Sequence, residues 1–299
     1  MKKIVSLLCA AAMTASLWTA PAYAEGANMI FNSDFTAASQ NTTHNSEENG
    51  VLLSSSSAQT LYEYDNGVKW VTSQKYVGSD GGNNIRSAAW ITGDGMYLRD
   101  RWHRGSTVNL DFGEKVSFQS LDKITYQVIK RDYPYGDIGG GIRFCVSADE
   151  NTYYYLGFGS KDQMMKLRQV VNGEETVVAA APDDFESNPW NVVSEISISG
   201  NTIQWTLQAQ TPGADMKTWT GSYTDTAGII SGGWRYPVAF FSQGDWGMMM
   251  ANLKLYGEYS VSPSFTEDFS TYETTPSDEL DENVCVLGTN PSGAKWVTS

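Results

Sequence analysis

The segment Thr107-Val108-Asn109-Leu110-Asp111-Phe112 alternates polar and apolar residues, and Lys123-Ile124-Thr125-Tyr126-Gln127-Val128-Ile129 does the same. Because successive side chains of a β-strand point to opposite faces, this alternation predicts strands with one buried face. Turn signals such as Asp65-Asn66-Gly67, Asp94-Gly95 and Asn172-Gly173 separate the segments. These stretches predict a chain of short antiparallel strands.

The same signal recurs along most of the chain. Further strands are predicted at Tyr153 to Phe158, Met165 to Val171, Val192 to Ile198, Thr202 to Leu207, Val238 to Ser242 and Met248 to Tyr256. No window of about 12 residues shows the sustained apolar stripe of a helix. About a dozen to fifteen short strands fit two packed sheets. The predicted fold class is therefore all-β, a two-sheet antiparallel sandwich.

Three consecutive stretches follow the pattern G-G-x-x-F, then Y-Y-x-L-x-F, then a hairpin that ends in N-G. They are Gly139-Gly140-Gly141-Ile142-Arg143-Phe144, Tyr153-Tyr154-Tyr155-Leu156-Gly157-Phe158 and Leu167-Arg168-Gln169-Val170-Val171-Asn172-Gly173. This succession resembles the middle of a concanavalin A-like (laminin-G-like) jelly roll. The resemblance covers residues 105–257 well and 28–104 loosely. It implies a jelly-roll fold and says little about function, because one fold supports many functions.

The N-terminal segment, 1–24, has the layout of a secretory signal. Lys2 and Lys3 precede an apolar stretch from Ile4 to Leu17, and Ala22-Tyr23-Ala24 supplies a small-x-small cleavage site. We expect export, a mature chain that begins near Glu25, and a secreted, extracellular or cell-surface location. No later apolar run approaches the ~20 residues that span a bilayer, so membrane insertion after cleavage is not expected.

Two blocks of sequence occur twice in the same order. Phe31-Asn32-Ser33-Asp34-Phe35-Thr36 recurs as Phe265-Thr266-Glu267-Asp268-Phe269-Ser270, and Gly67-Val68-Lys69-Trp70-Val71-Thr72-Ser73 recurs as Gly293-Ala294-Lys295-Trp296-Val297-Thr298-Ser299. The interval between the copies is far longer than the ~20–50 residues of solenoid repeats, so it is a domain period. The predicted organisation is a signal peptide at 1–24, a jelly-roll sandwich at 25–257, and an acidic linker with an incomplete second copy at 258–299, within a longer tandem protein.

The composition limits the classes of partner and cofactor that the chain is expected to bind. The chain has 34 Asp and Glu against 20 Lys and Arg, and its net charge of −14 excludes general nucleic-acid binding, which needs a basic face. The two His and three Cys show no zinc-ligand spacing, and Cys145 is expected as a small buried residue. No cofactor is predicted. A structural calcium ion is left open, with Asp34 as its candidate ligand, and no oligomeric state is predicted.

No catalytic motif is recognisable in the sequence. Some jelly-roll glycoside hydrolases carry alternate carboxylates on one strand, whereas Glu279-Leu280-Asp281-Glu282 sets its last two carboxylates side by side, on opposite faces. No G-x-S-x-G elbow accompanies His44 or His103. We predict no catalytic residue, and a hydrolase or polysaccharide lyase with an unrecognised carboxylate or Tyr/His/Arg centre stays open.

Stretches that resemble loops and combine aromatic with polar residues are the best ligand candidates. Sugar rings stack their C–H faces on Trp and Tyr, and their hydroxyls bond to Asn, Asp, Gln or Arg. The predicted ligand-binding residues are Trp102, Arg104, Tyr133, Tyr135, Trp234, Tyr236 and Trp246. Expected core residues are Trp70, Trp205 and Trp219.

The basic run Arg99, Arg101 and Arg104 has two interpretations. It fits either uronic or sulfated sugars or, more simply, a local ion-pair network with Asp100 and Asp111. The leading function is a secreted, non-catalytic module that binds a polysaccharide or a surface glycan, since tandem weak sites gain avidity. A structural spacer, whose loop aromatics serve only packing, is a further alternative.

Overall fold

The computed structural model describes residues 28–33, 35, 43–46, 49–52, 57–73, 88–100, 106–130, 139–158, 164–183, 185, 191–210, 213–262, 273–274, 286–289 and 295–297. Every regular element among them is a β-strand, which confirms the predicted all-β class. Within these residues no helix has the length and hydropathy to cross a membrane. The chain divides into two compact units, residues 1–260 and 261–299.

Sixteen connected strands lie among the described residues of the first unit. They are β1 (Met29–Ser33), β2 (Val51–Leu52), β3 (Thr60–Glu63), β4 (Lys69–Thr72), β5 (Ala88–Thr92), β6 (Gly95–Asp100), β7 (Ser106–Asp111), β8 (Val116–Lys130), β9 (Gly139–Val146), β10 (Tyr153–Phe158), β11 (Met165–Val171), β12 (Glu174–Ala180), β13 (Asn191–Ser199), β14 (Thr202–Gln210), β15 (Lys217–Thr224) and β16 (Tyr236–Val261). The turns predicted at residues 65–67, 94–95 and 172–173 fall between or beside strands.

Strand β16 belongs to both sheets of an antiparallel sandwich. Residues 236–243 lie in a sheet of order β12-β11-β10-β9-β16-β7-β4-β3, which we call sheet B. The following part of β16 pairs with β6 and then β1. Strands β8, β13, β14 and β15 extend this second sheet, sheet A, on one side, and β5 and β2 extend it beyond β6.

The continuity of β16 corrects the sequence analysis, which predicted separate strands at Val238–Ser242 and Met248–Tyr256. Gly244 and Asp245 between them read as a turn. The structure instead has a register shift between Gly244 and Met248 in the pairing with β6. Such an irregularity bends a strand without ending it, so the chain passes from sheet B to sheet A in one element.

The hydrophobic core lies between the inner faces of the two sheets. Trp70, Trp205 and Trp219 belong to it, at 0, 4 and 7% exposure, as predicted. Cys145 is a buried free thiol in the same core, also as predicted. Its φ of 52° lies in the left-handed region, a local irregularity of β9 that the alternating sequence pattern did not indicate.

The second unit contains a three-stranded sheet of β17 (Glu273–Thr274), β18 (Val286–Thr289) and β19 (Lys295–Val297). Its β18–β19 hairpin has the register of β3–β4 in the first unit. Glu63 pairs with Lys69 in the first unit, and Thr289 pairs with Lys295 in the second unit. Each residue of the second pair lies the same number of positions after its counterpart in the first pair. The two other pairs and the register shift recur at the same offset. The repeated sequence block therefore forms the same local structure twice.

Candidate functional site

The structure describes the side chains of only two predicted ligand-binding residues, Trp234 and Tyr236. The others are Trp102, Arg104, Tyr133 and Tyr135, which lie outside the described residues, and Trp246, which is described only as backbone of β16. Their ligand-binding roles stay predictions.

Trp234 is held by contacts within the first unit. Its Nε1 donates to the carbonyl oxygen of Ile230 at 3.0 Å, and its ring stacks on Phe118 with centroids 4.6 Å apart. The preceding loop is fixed by the buried carboxylate of Asp225, which accepts hydrogen bonds from the backbone N–H groups of Ala227, Gly228 and Ile230. These contacts give Trp234 a packing role, and its ligand role stays a prediction.

Tyr236 stands next to an ion pair. Arg235 places Nη2 2.6 Å from Oδ1 of Asp111, donates from Nη1 to the carbonyl oxygen of Gly113, and lies over the Tyr236 ring at 5.4 Å. Burial raises the pKa of Tyr236, and the negative charges of Glu150 and Asp111 raise it further. Its phenol is therefore protonated at neutral pH, as a hydrogen-bond donor to a ligand must be.

Among the described residues, Asp111 forms an ion pair with Arg235. The network that the sequence predicted between Asp111 and Arg99, Arg101 and Arg104 stays a prediction. Asp111 and Arg235 are 124 positions apart, so neighbours in sequence gave no sign of the pair. Arg101 and Arg104 themselves lie outside the described residues.

The outer face of sheet B carries a row of side chains that the sequence analysis missed. Asn109, Ala239, Arg143, Tyr155 and Arg168 are successive cross-strand partners on β7, β16, β9, β10 and β11, and we call them the Arg143 row. Ala239 is 0% and Tyr155 5% exposed, yet neither belongs to the core between the sheets. This part of the outer face is therefore shielded from solvent.

Arg143 is clamped between two aromatic rings at the centre of the row. Its guanidinium carbon lies 4.3 Å from the ring centroid of Tyr153 and 4.2 Å from that of Phe241, within the range of cation–π attraction. Nη1 donates a hydrogen bond to Oγ1 of Thr107 at 2.9 Å. Burial lowers the pKa of Arg143, and nearby Tyr and Glu side chains oppose that shift. The clamp fixes the direction of the remaining donors.

Two buried polar atoms of the row have no hydrogen-bond partner among the described residues. They are Oδ1 of Asn109, an acceptor, and Nε of Arg143, a donor. Leaving such a group unpaired costs about 1–3 kcal/mol. Buried polar atoms are nearly always paired in folded proteins, so these two need an explanation.

Tyr155 occupies the side of the row towards β11. Its ring meets Phe241 edge-on at 5.0 Å, Arg168 lies over it at 5.0 Å, and its hydroxyl donates to the carbonyl oxygen of Phe158. A Cβ at Gly157 would lie 2.7–2.8 Å from the Tyr155 hydroxyl and ring, so the glycine makes room for this side chain. Burial raises the pKa of Tyr155, so the phenol does not act as a base at neutral pH.

The outer face of sheet A offers a second, different surface. A furrow of about 200 Å³ crosses its last three strands. Its lining residues are Glu195, Ser197, Gln204, Trp205, Thr206, Thr220 and Gly221. The carboxylate of Glu195 is 3.7 Å from Nζ of Lys123, so its charge is balanced. We call this surface the sheet A furrow.

The sequence contained one signal for the Arg143 row. Arg143, Tyr155 and Arg168 each sit at the outward position of an alternating strand, where a solvated polar residue is expected. Cross-strand register decides which of these residues become neighbours, and register depends on pairings that a single sequence does not show. Aromatic and arginine residues on the outward side of three consecutive strands were the available indication.

Metal ligands are not clustered in the described part of the chain. None of its residues form a group of three or more His, Cys, Asp and Glu that would hold a metal ion. Asp34, the candidate calcium ligand of the sequence analysis, lies outside the described residues.

No protein-family model and no curated protein matches the chain. Solved structures do. A carbohydrate binding module from Bacillus subtilis is 13% identical, with a TM-score of 0.41, over 62% of this chain and 92% of that one. A Bacillus licheniformis beta-glucanase is 12% identical, with a TM-score of 0.38, over 68% and 97%. The exoplasmic/lumenal domain of VIP36, in a Ca²⁺- and saccharide-bound form, is 9% identical, with a TM-score of 0.40, over 60% and 83%.

All three structures are only distantly similar to this chain. With TM-scores of 0.38 to 0.41 and identities of 9 to 13%, the comparison says nothing about the ligand of this chain.

Proposed function

We propose that the sandwich is a carbohydrate-binding module and that the outer face of sheet B is its binding face. The observation that carries the proposal is Arg143, whose guanidinium is held between the rings of Tyr153 and Phe241 on the outer face of sheet B, with Tyr153 only half-buried. Saccharides combine hydroxyl groups with apolar C–H faces, and binding sites for them combine hydrogen-bonding side chains with aromatic ones.

Preorganisation supports this assignment. The two rings that flank Arg143 and its bond to Thr107 hold the guanidinium in one orientation before any ligand arrives. Binding then loses less side-chain entropy than it would with a free arginine, which improves affinity without further contacts.

The chemistry of the face supports binding rather than catalysis. Two carboxylates near the row are committed to ion pairs, Asp111 with Arg235 and Glu175 with Arg168. Burial raises the pKa of Tyr153 and of Tyr155, so neither phenol is poised as a base. A general acid–base pair, which a hydrolase or lyase needs, is not formed by these groups.

The location belongs to the same proposal. The signal-like segment at 1–24 supports export, and an exported sandwich meets polysaccharides or surface glycans. The module is proposed to work outside the cell without an activity of its own.

A polysaccharide panel tests the function. We expect the wild-type protein to bind at least one glycan, Arg143→Gln to bind it about tenfold more weakly because a charged hydrogen bond is lost, and Gln204→Ala in the sheet A furrow to bind normally. Binding is measured by affinity electrophoresis and calorimetry, with circular dichroism to verify folding. Failure of the folded protein to bind any glycan would favour the structural-spacer alternative, and weakened binding by Gln204→Ala alone would move the site to sheet A.

A further inference from the structure

We propose that β15 is a self-association edge, along which two copies of this chain pair antiparallel and join their two A sheets into one. The partner is the same strand of a second copy. The inference concerns an interaction surface on the side of the sandwich, so it does not rest on the proposed carbohydrate-binding function.

Strand β15 ends sheet A with one edge open. Its residues pair with β14, and no other described strand pairs with residues 218–224. An open edge presents a row of backbone N–H and C=O groups that another strand extends by ordinary sheet hydrogen bonds. Threonine, a β-branched residue, suits such a pairing strand. The exposed outward side chains of β15 are Thr218, Thr220, Ser222 and Thr224.

The other described edge strands of the first unit carry features that prevent pairing. The ladders of β1, β3 and β12 each contain a register shift, and β2 has only two residues. Bulges and short strands are the usual ways in which proteins protect a sheet edge from another chain. Strand β15 instead forms eight successive pairs with β14 without a shift. Among these edges, β15 is therefore the long and regular one.

The charge pattern of β15 favours its own copy as the partner. The chain has a net charge of −14, which repels a second copy at long range, whereas residues 218–224 carry no charged side chain. An antiparallel pair centred on Thr220 places Lys217 of each copy opposite Tyr223 of the other, so no like charges face each other. The pairing is two-fold symmetric and uses the same edge of both copies, so it closes as a dimer.

Sedimentation equilibrium of the whole chain tests the association. One strand pair is a small interface, so we expect a weak dimer that forms within a concentration range of about 1 μM to 1 mM. Thr220→Lys sets two like charges against each other at the centre of the pair and should weaken the dimer about tenfold or more. Val177→Lys adds the same charge to the edge strand β12, at a residue that is 48% exposed, and should leave the dimer unchanged.

The outcomes of this experiment are distinct. A wild-type protein that stays monomeric over the whole range overturns the inference. Equal weakening by both lysine variants, or weakening by Val177→Lys alone, overturns it as well. Both substituted residues are exposed, and circular dichroism verifies that the variants fold.

Cysteine crosslinking tests the pairing without a change of charge. Thr220→Cys brings two thiols opposite each other with Cβ atoms about 4.5–5.5 Å apart, close to the separation in a disulfide. We expect mild oxidation to convert this variant to a covalent dimer and to leave Val177→Cys at the wild-type level, which gives the baseline for Cys9 and Cys285. Crosslinking of Thr220→Cys no greater than that of Val177→Cys contradicts the inference.

Discussion

The outer faces of the two sheets follow the same period-two rule and carry opposite chemistry. In the sheet A furrow the outward positions are mainly Ser, Thr and Gln, such as Ser197, Gln204 and Thr206, and they are exposed or half-buried. On sheet B the outward positions of the Arg143 row are aromatic, amide and guanidinium groups that are shielded from solvent.

The two faces differ in where their unpaired polar atoms lie, although the buried Nε1 of Trp205 at the sheet A furrow also has no partner among the described residues. Polar side chains that face water, as in the sheet A furrow, cost nothing to leave unpaired by protein. Asn109 Oδ1 and Arg143 Nε are buried without partners in the described part of the chain, so they oppose folding. Departures from local rules of this kind concentrate at functional sites. The two faces therefore provide matched test and control surfaces on one scaffold.

The largest expected contrast is in stability. Phe241 contacts both Arg143 and Tyr155, and its ring is buried. We expect Phe241→Ala to lower the free energy of unfolding by about 3–5 kcal/mol. The exposed Gln204→Ala on sheet A should change it by no more than about 0.5 kcal/mol. Urea unfolding measures both, and equal effects would mean that the sheet B layer is not packed as described.

Gly157→Ala gives the next largest effect. A Cβ at this position would collide with the carbonyl oxygen of Gly140 and with the Tyr155 side chain. We expect a loss of about 1–3 kcal/mol from overpacking, together with a displaced Tyr155 and weaker glycan binding. Ser222→Ala on the exposed outer side of β15 is the matched control. A Gly157→Ala protein with wild-type stability would show that Tyr155 does not lie over this glycine.

The stability of the protein at alkaline pH tests the burial of Tyr155 on sheet B. Burial raises the pKa of Tyr155 above that of an unfolded tyrosine, which is about 10. The unfolded chain therefore releases this proton first, and the stability contributed by the neutral phenol is complete below about pH 10 and is lost as pH rises above it.

Tyr155→Phe isolates that contribution. Above about pH 10 we expect the slope of unfolding free energy against pH to be shallower in the variant, by up to about 1.4 kcal/mol per pH unit. Unfolding at several alkaline pH values measures the slope, which is independent of the lost hydrogen bond to Phe158. Identical slopes in both proteins would indicate that Tyr155 is solvated.

The smallest effect on stability is expected from the partly exposed ion pairs of the two sheets. Glu175 is 54% exposed, so Glu175→Gln should cost no more than about 1 kcal/mol despite its contact with Arg168. Lys123→Gln, which breaks the ion pair with Glu195 on sheet A, should cost a similar amount. A much larger loss on sheet B alone would place Arg168 in the supporting structure of the site. Thermal unfolding of both variants in parallel gives the comparison.

Much of the fold was predictable because the alternation of polar and apolar residues along a strand is a local property of the sequence. The strands at Tyr153–Phe158 and Met165–Val171 were predicted to the residue, and the core tryptophans followed from the same alternation. The continuity of strand β16 was not predictable. Its Gly and Asp residues signal a turn, whereas its pairing with β6 continues across a register shift at that point. The repeated block shows the converse, since its matching strands, β4 and β19, pair with their neighbours in the same register.

The site was less predictable because it depends on register. Arg143 and Asn109 are far apart in sequence, and only the ladders through Ala239 bring them onto one row. Trp234 shows a further limit, because its stack on Phe118 gives it a packing partner that the sequence does not reveal.

The most direct test of the central claim is hydroxyl-radical footprinting with and without the glycan that the panel identifies. Tyr153 beside Arg143 on sheet B and Tyr256 beside Lys123 on sheet A are both half-buried tyrosines that lie near a cation. We predict that the bound glycan lowers the oxidation of Tyr153 at least threefold, as expected when a ligand buries a side chain, and leaves Tyr256 unchanged. Protection of Tyr256 with unchanged Tyr153 would contradict the assignment of the binding face to sheet B.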